Sequence, residues 1–261
     1  MEAIEAARAK IAPIPCPKHP KEYLQLAWRR TIETADFGSH FRPGVSITPE
    51  FESCPCCKLI ASGVGPEDSL FSFDNFPRDV AAKIYHTERC REFAACPHGV
   101  LLLMGNTGTG KTHLAVAVMR EFVMNNTAQP LFISAQDLFT KHLASLKAHS
   151  FSIQAPSSPI PACQQAPLLV LDDLIPLPIK RDGEEILLSI FNFRIQHKLP
   201  SVITANLKPA EIEEAVGSRL YDRLRGAAYE AIEFGFESKR HLNRPEYLRR
   251  CKEEYEQNKL N

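Results

Sequence analysis

The chemistry-bearing stretch of this chain is Gly105-Asn106-Thr107-Gly108-Thr109-Gly110-Lys111-Thr112. It follows the apolar run Val100-Leu101-Leu102-Leu103-Met104 and leads into His113-Leu114-Ala115-Val116, which has helix-forming composition. The octet fits G-x-x-x-x-G-K-[ST], with a strand before it and a helix after it. Glycines let the backbone curl so that successive N–H groups face inward, and the helix adds its positive end. Lys111 is expected to reach the β- and γ-phosphates of a nucleotide, and Thr112 to bind Mg²⁺. Gly105 to Lys111 and the adjoining His113 are the expected nucleotide contacts.

Such a loop needs an acid at the end of another buried strand, and Leu168-Leu169-Val170-Leu171-Asp172-Asp173 supplies one. Asp172 is expected to hold the magnesium, and Asp173 to orient or deprotonate an attacking water. Ser201-Val202-Ile203-Thr204-Ala205-Asn206-Leu207 reads as a further strand. Its Thr204 and Asn206 are candidates to hydrogen-bond the γ-phosphate or its water. Arg219 and Arg223 lie four residues apart on one face of a short basic helix, residues 218–226. Planar guanidinium groups suit spread phosphate charge, and a neighbouring subunit could donate one as an arginine finger. Arg240 is a candidate for sensing nucleotide in its own chain.

A second cluster lies near the N-terminus. Cys16-Pro17-Lys18-His19 and Cys54-Pro55-Cys56-Cys57 are C-x₂-H and C-x₂-C knuckles. Cys16, His19, Cys54 and Cys57 make a tetrahedral zinc set, with Cys56 and His40 as alternative ligands. So small a segment has little core, and metal would supply much of its folding energy. The other four of the eight cysteines, Cys90, Cys96, Cys163 and Cys251, lie apart and read as reduced thiols.

The elements that position these groups follow from the rest of the pattern. Strands are expected at residues 100–104, 130–135, 168–173 and 201–207, and helices at 112–126, 137–149, 184–198, 208–216 and 218–226. Residues 150–166 and 175–183, rich in Pro, read as irregular. Alternating strands and helices imply a parallel sheet covered on both faces. The chain of 261 residues divides by texture into 1–65, a Pro- and Cys-rich partner-binding module; 66–245, the phosphate-binding domain; and 246–261, a polar tail.

Hydrophobic residues at 44% allow a sizeable core, and formal net charge is zero. A chain that coats nucleic acid is often basic overall, so any such contact here must come from a local patch. No apolar run approaches the roughly 18 residues of a membrane span. The N-terminal residues are too polar for a secretory signal, so a cytoplasmic location with no membrane contact is expected.

Taken in order, these residues resemble the AAA+ ATPases of the DnaC/IstB type, which include bacterial and phage helicase loaders and transposition helper ATPases. The resemblance covers about residues 70–241 and is carried by Ser72-Phe73-Asp74-Asn75-Phe76, the phosphate loop with its following Thr112-His113-Leu114-Ala115, Leu168 to Leu174, Leu199 to Leu207, and Ser218-Arg219-Leu220-Tyr221-Asp222-Arg223-Leu224 followed by Phe236 to Arg240. It implies an αβα AAA+ core with a reduced lid, ATP and Mg²⁺ as ligands, and assembly into a homo-oligomer in which Arg219 or Arg223 reaches the next subunit's ATP. Arg240 falls where the family carries its second sensor. Several of the loaders carry a similar Cys/His module, which supports structural Zn²⁺.

The expected function is therefore ATP-dependent loading of a replicative DNA helicase onto single-stranded DNA; the alternative is a transposition helper that recruits a transposase. A small-molecule kinase, from another class, fits the arginine pair and the 201–207 strand poorly. The family also carries an extra helical element that contacts single-stranded DNA. Residues 137–149, with Lys141, His142 and Lys147, could be that element or an ordinary sheet-covering helix. Two features depart from the family pattern. Leu174-Ile175-Pro176-Leu177-Pro178 stands where relatives often have glycine after the acidic strand, and the segment before that strand is Pro-rich.

Overall fold

The computed structural model describes residues 16–19, 25–35, 42–148, 157–174, 180–235 and 249. Arg240, His40, Cys251 and the tail from 250 onward lie outside the described residues. The chain divides into two compact units, Met1–Lys58 and Leu59–Asn261.

In the first unit, strands β1 (Gln25–Ala35) and β2 (Arg42–Glu52) form an antiparallel hairpin. Its register pairs Gln25 with Glu52 and Ala35 with Arg42. The start of β1 and the end of β2 therefore lie at the same end of the hairpin. Helix α1 (Pro55–Ala61) follows immediately.

The second unit is built on a five-stranded sheet in the order β4-β5-β6-β3-β7. The strands are β3 (Val100–Gly105), β4 (Leu131–Ser134), β5 (Leu169–Leu174), β6 (Ser201–Ala205) and β7 (Ala228–Phe234), and the recorded pairings are all parallel. Leu101 and Leu103 enter one apolar cluster, whereas Val100, Leu102 and Met104 enter another. A strand buried on both faces needs a continuous apolar run, and VLLLM is one.

On the first face lie α2 (Ala81–Ala95) and α3 (Lys111–Asn125), with Cys90, Phe93, Leu114, Val118 and Met119 packed against the sheet. On the other lie α4 (Ala135–Ala148), α5 (Ile160–Gln165), α6 (Lys180–Gln196), α7 (Pro209–Val216) and α8 (Ser218–Gly226). Leu138, Cys163, Phe191, Ile212 and Leu220 fill the cluster beneath them. This is the helix–sheet–helix arrangement expected from the sequence. No described helix is long and apolar enough to cross a membrane.

The structure corrects the sequence reading at four places. β7 was not expected: in AYEAIEF the two glutamates, Glu230 and Glu233, are three residues apart and break strict strand alternation, and as an edge strand it buries only Ile232 and Phe234. α5 forms in a stretch read as irregular, because its prolines, Pro159 and Pro161, sit at the helix start where a missing N–H is harmless. α6 begins at Lys180 rather than Glu184, so part of the expected loop is helical. Residues 59–65, assigned to the N-terminal module, belong with the sheet instead. Leu59 and Val64 are buried in the first-face cluster, and the Phe132 N–H donates to Ser62 O at 2.8 Å. Gly63 at φ +102° makes that approach possible, since a Cβ there would stand 2.4 Å from Phe132 O.

One buried cation ties the second face together. Arg194, 1% exposed, donates to Cys163 O and Ala166 O, both at 2.8 Å, to Pro200 O, and to Ser201 Oγ at 2.8 Å. These acceptors come from the end of α5, the loop before β5 and the start of β6. Arg194→Met fills similar space but strands the acceptors without donors. The expected loss is about 3 kcal/mol in urea unfolding; a loss below about 1 kcal/mol contradicts this role.

Candidate functional site

β5, β6 and β3 are neighbours, and their C-terminal ends carry the groups singled out above. In open parallel sheets this is the edge where ligands bind.

After β3 the chain turns through Gly105 (φ +126°), Gly108 (φ +76°) and Gly110 (φ +99°). A Cβ at Gly105 would lie 2.5 Å from Phe234 O, and one at Gly110 2.5 Å from the Phe76 ring. The glycines therefore provide left-handed backbone and close approach together. Asn106 and Thr107 stand exposed at the tip, and the Thr109 hydroxyl donates to Asn106 O at 2.9 Å. Lys111 Nζ donates to Gly105 O at 2.9 Å and Asn106 O at 2.7 Å. The ammonium thus lies within the loop whose amides an anion would meet.

Thr112 Oγ1 donates to Asp172 Oδ1 at 3.0 Å, and Thr204 Oγ1 donates to the same oxygen at 2.7 Å. Burial pushes the Asp172 carboxyl up from its ordinary range; the Thr204 and Thr112 hydroxyls oppose this, and the nearby Asp173 and Asp68 charges add to it. A desolvated carboxylate beside a hydroxyl is a donor set that fits a hard divalent cation. Asp173 sits at φ +55°, and the Asn206 side-chain amide donates to its Oδ1. Lys111, Thr112, Asp172, Asp173 and Asn206 are thus brought together around one loop. Thr204 differs from its expected role. It is 1% exposed, and its hydroxyl is spent on the acidic strand end rather than offered to a phosphate.

His113 also differs from expectation. Its ring is 2% exposed, stacks on Phe71 at 4.3 Å and meets Phe76 edge-on at 5.1 Å. Nε2 donates to Ser72 O at 2.9 Å, and burial holds the imidazole down at about 4, so it is neutral near pH 7. It fastens the 69–76 segment to α3 rather than facing a ligand. Arg120, two helical turns on, does the same by donating to Phe71 O at 3.1 Å and Ser69 O at 2.7 Å. Asn75 closes the turn, accepting from Ser72 N–H at 2.8 Å and donating to Leu70 O at 2.9 Å. Arg120 and Asn75 were missed as functional support; a basic residue directly after the apolar run Leu114 to Met119 was the available signal.

Arg219 and Arg223 are both exposed on α8, opposite the buried Leu220 and Leu224 that anchor it. Arg219 pairs with Glu185 of α6 at 2.8 Å. Among the described residues neither arginine forms a hydrogen bond or ion pair with the loop or the aspartates. α4 covers the sheet through Leu138 and Phe139, and its Lys141 and Lys147 are exposed. His142 is engaged with Ser158 Oγ at 3.1 Å.

In the N-terminal unit, the ligand atoms of Cys16, His19, Cys54 and Cys57 all lie within 4.8 Å of one another. The Cys16 and Cys57 sulfurs are 3.8 Å apart, and His19 Nδ1 is 3.4 Å from the sulfurs of Cys54 and Cys57 and 3.9 Å from that of Cys16. A tetrahedral zinc with its usual bond lengths sets sulfurs about 3.8 Å apart and sulfur to nitrogen about 3.6 Å. The Cys57 N–H donates to Cys54 Sγ at 3.4 Å, as a tight knuckle does. The donor set therefore fits the ion. Cys56, the alternative ligand, is buried outside this quartet.

A model of the "IstB-like ATP binding protein" family matches residues 61–244, most of the chain. The chain belongs to this family. It is an AAA+ ATPase of the DnaC/IstB type. Curated relatives include the chromosomal replication initiator protein DnaA of Zymomonas mobilis, 32% identical over 70% of this chain and 37% of that protein, and the replicative helicase loader DnaC of Escherichia coli, 23% identical over 63% and 66%. The match therefore spans well under half of that initiator's length. Among solved structures, DnaI superposes with a TM-score of 0.56 at 21% identity, covering 67% of this chain and 94% of that one. The DnaC helicase loader gives 0.54 at 19%, covering 62% and 96%. A DnaA bound to AMPPCP and single-stranded DNA gives 0.55 at 21%, covering 64% and 50%. At these identities the likeness establishes the shared fold.

The raised pKa of Asp172 has a thermodynamic sign. An acid whose folded-state pKa is raised binds its proton more tightly when folded, so its contribution is present at low pH and lost as pH rises through the folded value. In this IstB-like ATPase, Asp172→Asn is therefore expected to raise the melting temperature of nucleotide-free protein at pH 7 and to reduce ATP turnover by about 100-fold or more. A lower melting temperature, or unaltered turnover, contradicts the assignment.

Proposed function

We propose that this ATPase is a loader of a replicative DNA helicase, in which the nucleotide state is the signal. The observation that carries the reading is the pairing, in one chain, of a DnaC/IstB-type ATPase unit with a separate N-terminal unit holding the Cys/His quartet. A matched relative is itself named a replicative helicase loader, and similar folds include DnaI and DnaC. The second reading, a transposition helper ATPase, is favoured by the IstB-like description of the family.

The chemistry follows from the chain's own groups. Amides of residues 105–110 and the N-terminus of α3 would hold the phosphates of ATP, with Lys111 moving from loop carbonyls to phosphate oxygens. Thr112 and Asp172 would hold Mg²⁺, which supplies neutralisation of charge on the β- and γ-phosphate oxygens. Asp173 and Asn206, already hydrogen-bonded to each other, would orient the attacking water. Arg219 and Arg223, exposed on α8, would reach the ATP of a second copy in a homo-oligomer, and Arg240 would sense nucleotide in its own chain. The N-terminal module would grip the helicase. Lys141 and Lys147 on α4 supply exposed positive charge for single-stranded DNA. The quartet of Cys16, His19, Cys54 and Cys57 would hold a structural Zn²⁺. Location in the cytoplasm accords with reduced thiols.

Purified full-length protein mixed with the replicative helicase of its source organism is expected to form an ATP-dependent complex. Its ATP turnover should respond to single-stranded DNA more than to duplex. A complex with a transposase instead, and stimulation by duplex, would favour the second reading. If Lys111→Ala hydrolyses ATP as well as the unaltered protein, both readings fall.

For the metal, elemental analysis should find about one zinc per chain, and chelation should unfold the N-terminal unit. Protein that folds fully with no zinc refutes the site.

A further inference from the structure

β5 and β6 run in register from Leu169 opposite Ser201 to Leu171 opposite Ile203, and then the register shifts so that Leu174 stands opposite Ala205. Two residues, Asp172 and Asp173, thus face the single residue Thr204. That is a β-bulge, a device met mainly in antiparallel pairs and rare in parallel ones. The packing confirms it. Leu169 and Leu171 enter the second-face cluster, and so does Leu174, three residues after Leu171 instead of two. An unbroken strand would send Asp173 toward that apolar cluster and Leu174 toward the opposite face.

A bulge releases a backbone N–H from the ladder, and here the freed N–H is caught. The Asp173 N–H donates to Thr204 Oγ1 at 2.8 Å, while that hydroxyl donates its proton to Asp172 Oδ1 at 2.7 Å. Asp173 meanwhile holds φ +55°, a left-handed conformation that Asp, with its short polar side chain, adopts more readily than most residues. Thr204 is itself 1% exposed, so no solvent substitutes for its oxygen.

We infer that Thr204 is a positioning residue for the ATPase reaction: its hydroxyl bridges the bulge and so aims both carboxylates at the phosphate loop. The inference rests on the reading of the site as an ATPase centre, but its structural half is measurable without nucleotide. Valine has the shape of threonine without the hydroxyl, and serine keeps the hydroxyl without the methyl.

In nucleotide-free full-length protein, Thr204→Val is expected to speed hydrogen exchange at the Asp173 amide by about tenfold or more, and Thr204→Ser to leave it within about threefold. With Mg²⁺ and ATP, Thr204→Val should lower kcat by about 10- to 100-fold with KM for ATP changed by less than about threefold, and should raise the Mg²⁺ concentration for half-maximal rate. Thr204→Ser should restore most of both. If the valine variant lacks a cooperative melt, Thr204→Ala takes its place with the same expectations. Unchanged exchange and kcat in the hydroxyl-free variant overturn the inference, as does a serine variant as impaired as valine. Loss of exchange protection with unchanged kcat overturns the positioning role. Failure of Lys111→Ala to impair turnover sinks the ATPase reading while leaving the exchange result intact, so the two failures are distinguishable.

Discussion

One carboxylate oxygen holds the catalytic edge of this molecule together. Asp172 Oδ1, at the end of β5, accepts hydroxyl protons from Thr112 at the start of α3 and Thr204 at the end of β6. Three neighbouring structural ends thus converge on one atom and fix the shape of the edge. The carboxylate is desolvated there, and its raised pKa expresses the electrostatic strain of that placement.

The phosphate loop is shaped from behind as well as from within. Phe76 lies where a side chain on Gly110 would be, and Phe234 O where one on Gly105 would be. The 69–76 segment that carries Phe76 has little regular structure of its own. It is held by His113 and Arg120, side chains of the helix that the loop begins. Loop, helix and lead-in segment therefore form one interlocked body. This explains why groups as costly to bury as an arginine and a histidine are placed on the buried side of this helix: His113 satisfies one carbonyl and Arg120 two of a strand-less segment that would otherwise face the core unpaired.

The N-terminal unit solves a different problem. It has few residues with which to build a core, and its ligand pairs are separated by a long stretch of chain. An antiparallel hairpin lies between them in sequence, and the start of β1 and the end of β2 lie at the same end of it. Three sulfurs and one imidazole nitrogen lie at tetrahedral spacing although Cys16 and His19 are far from Cys54 and Cys57 in sequence.

Much was legible in the chain itself. The glycine octet, the apolar run before it, the paired aspartates and the Asn-ended strand determined a phosphate site on a parallel sheet, since their chemistry is local and their spacing is read directly. The knuckle pairs likewise named a candidate quartet, and Cys16, His19, Cys54 and Cys57 do lie together. What the chain did not declare were features whose cause lies in a neighbour. β7 owes its place to pairing with β3, since Glu230 and Glu233, three residues apart, break the strict alternation that marks a strand in sequence. His113 looks like a ligand contact until Phe71 is found stacked on it. Thr204 looks like a phosphate contact until the bulge opposite it appears, for a register shift is a relation between two strands and is written in neither alone. Residue types and their intervals decided which chemistry this protein has; only the tertiary structure decided which side chains perform it and which hold the performers in place, because those roles are set by contacts across the sheet.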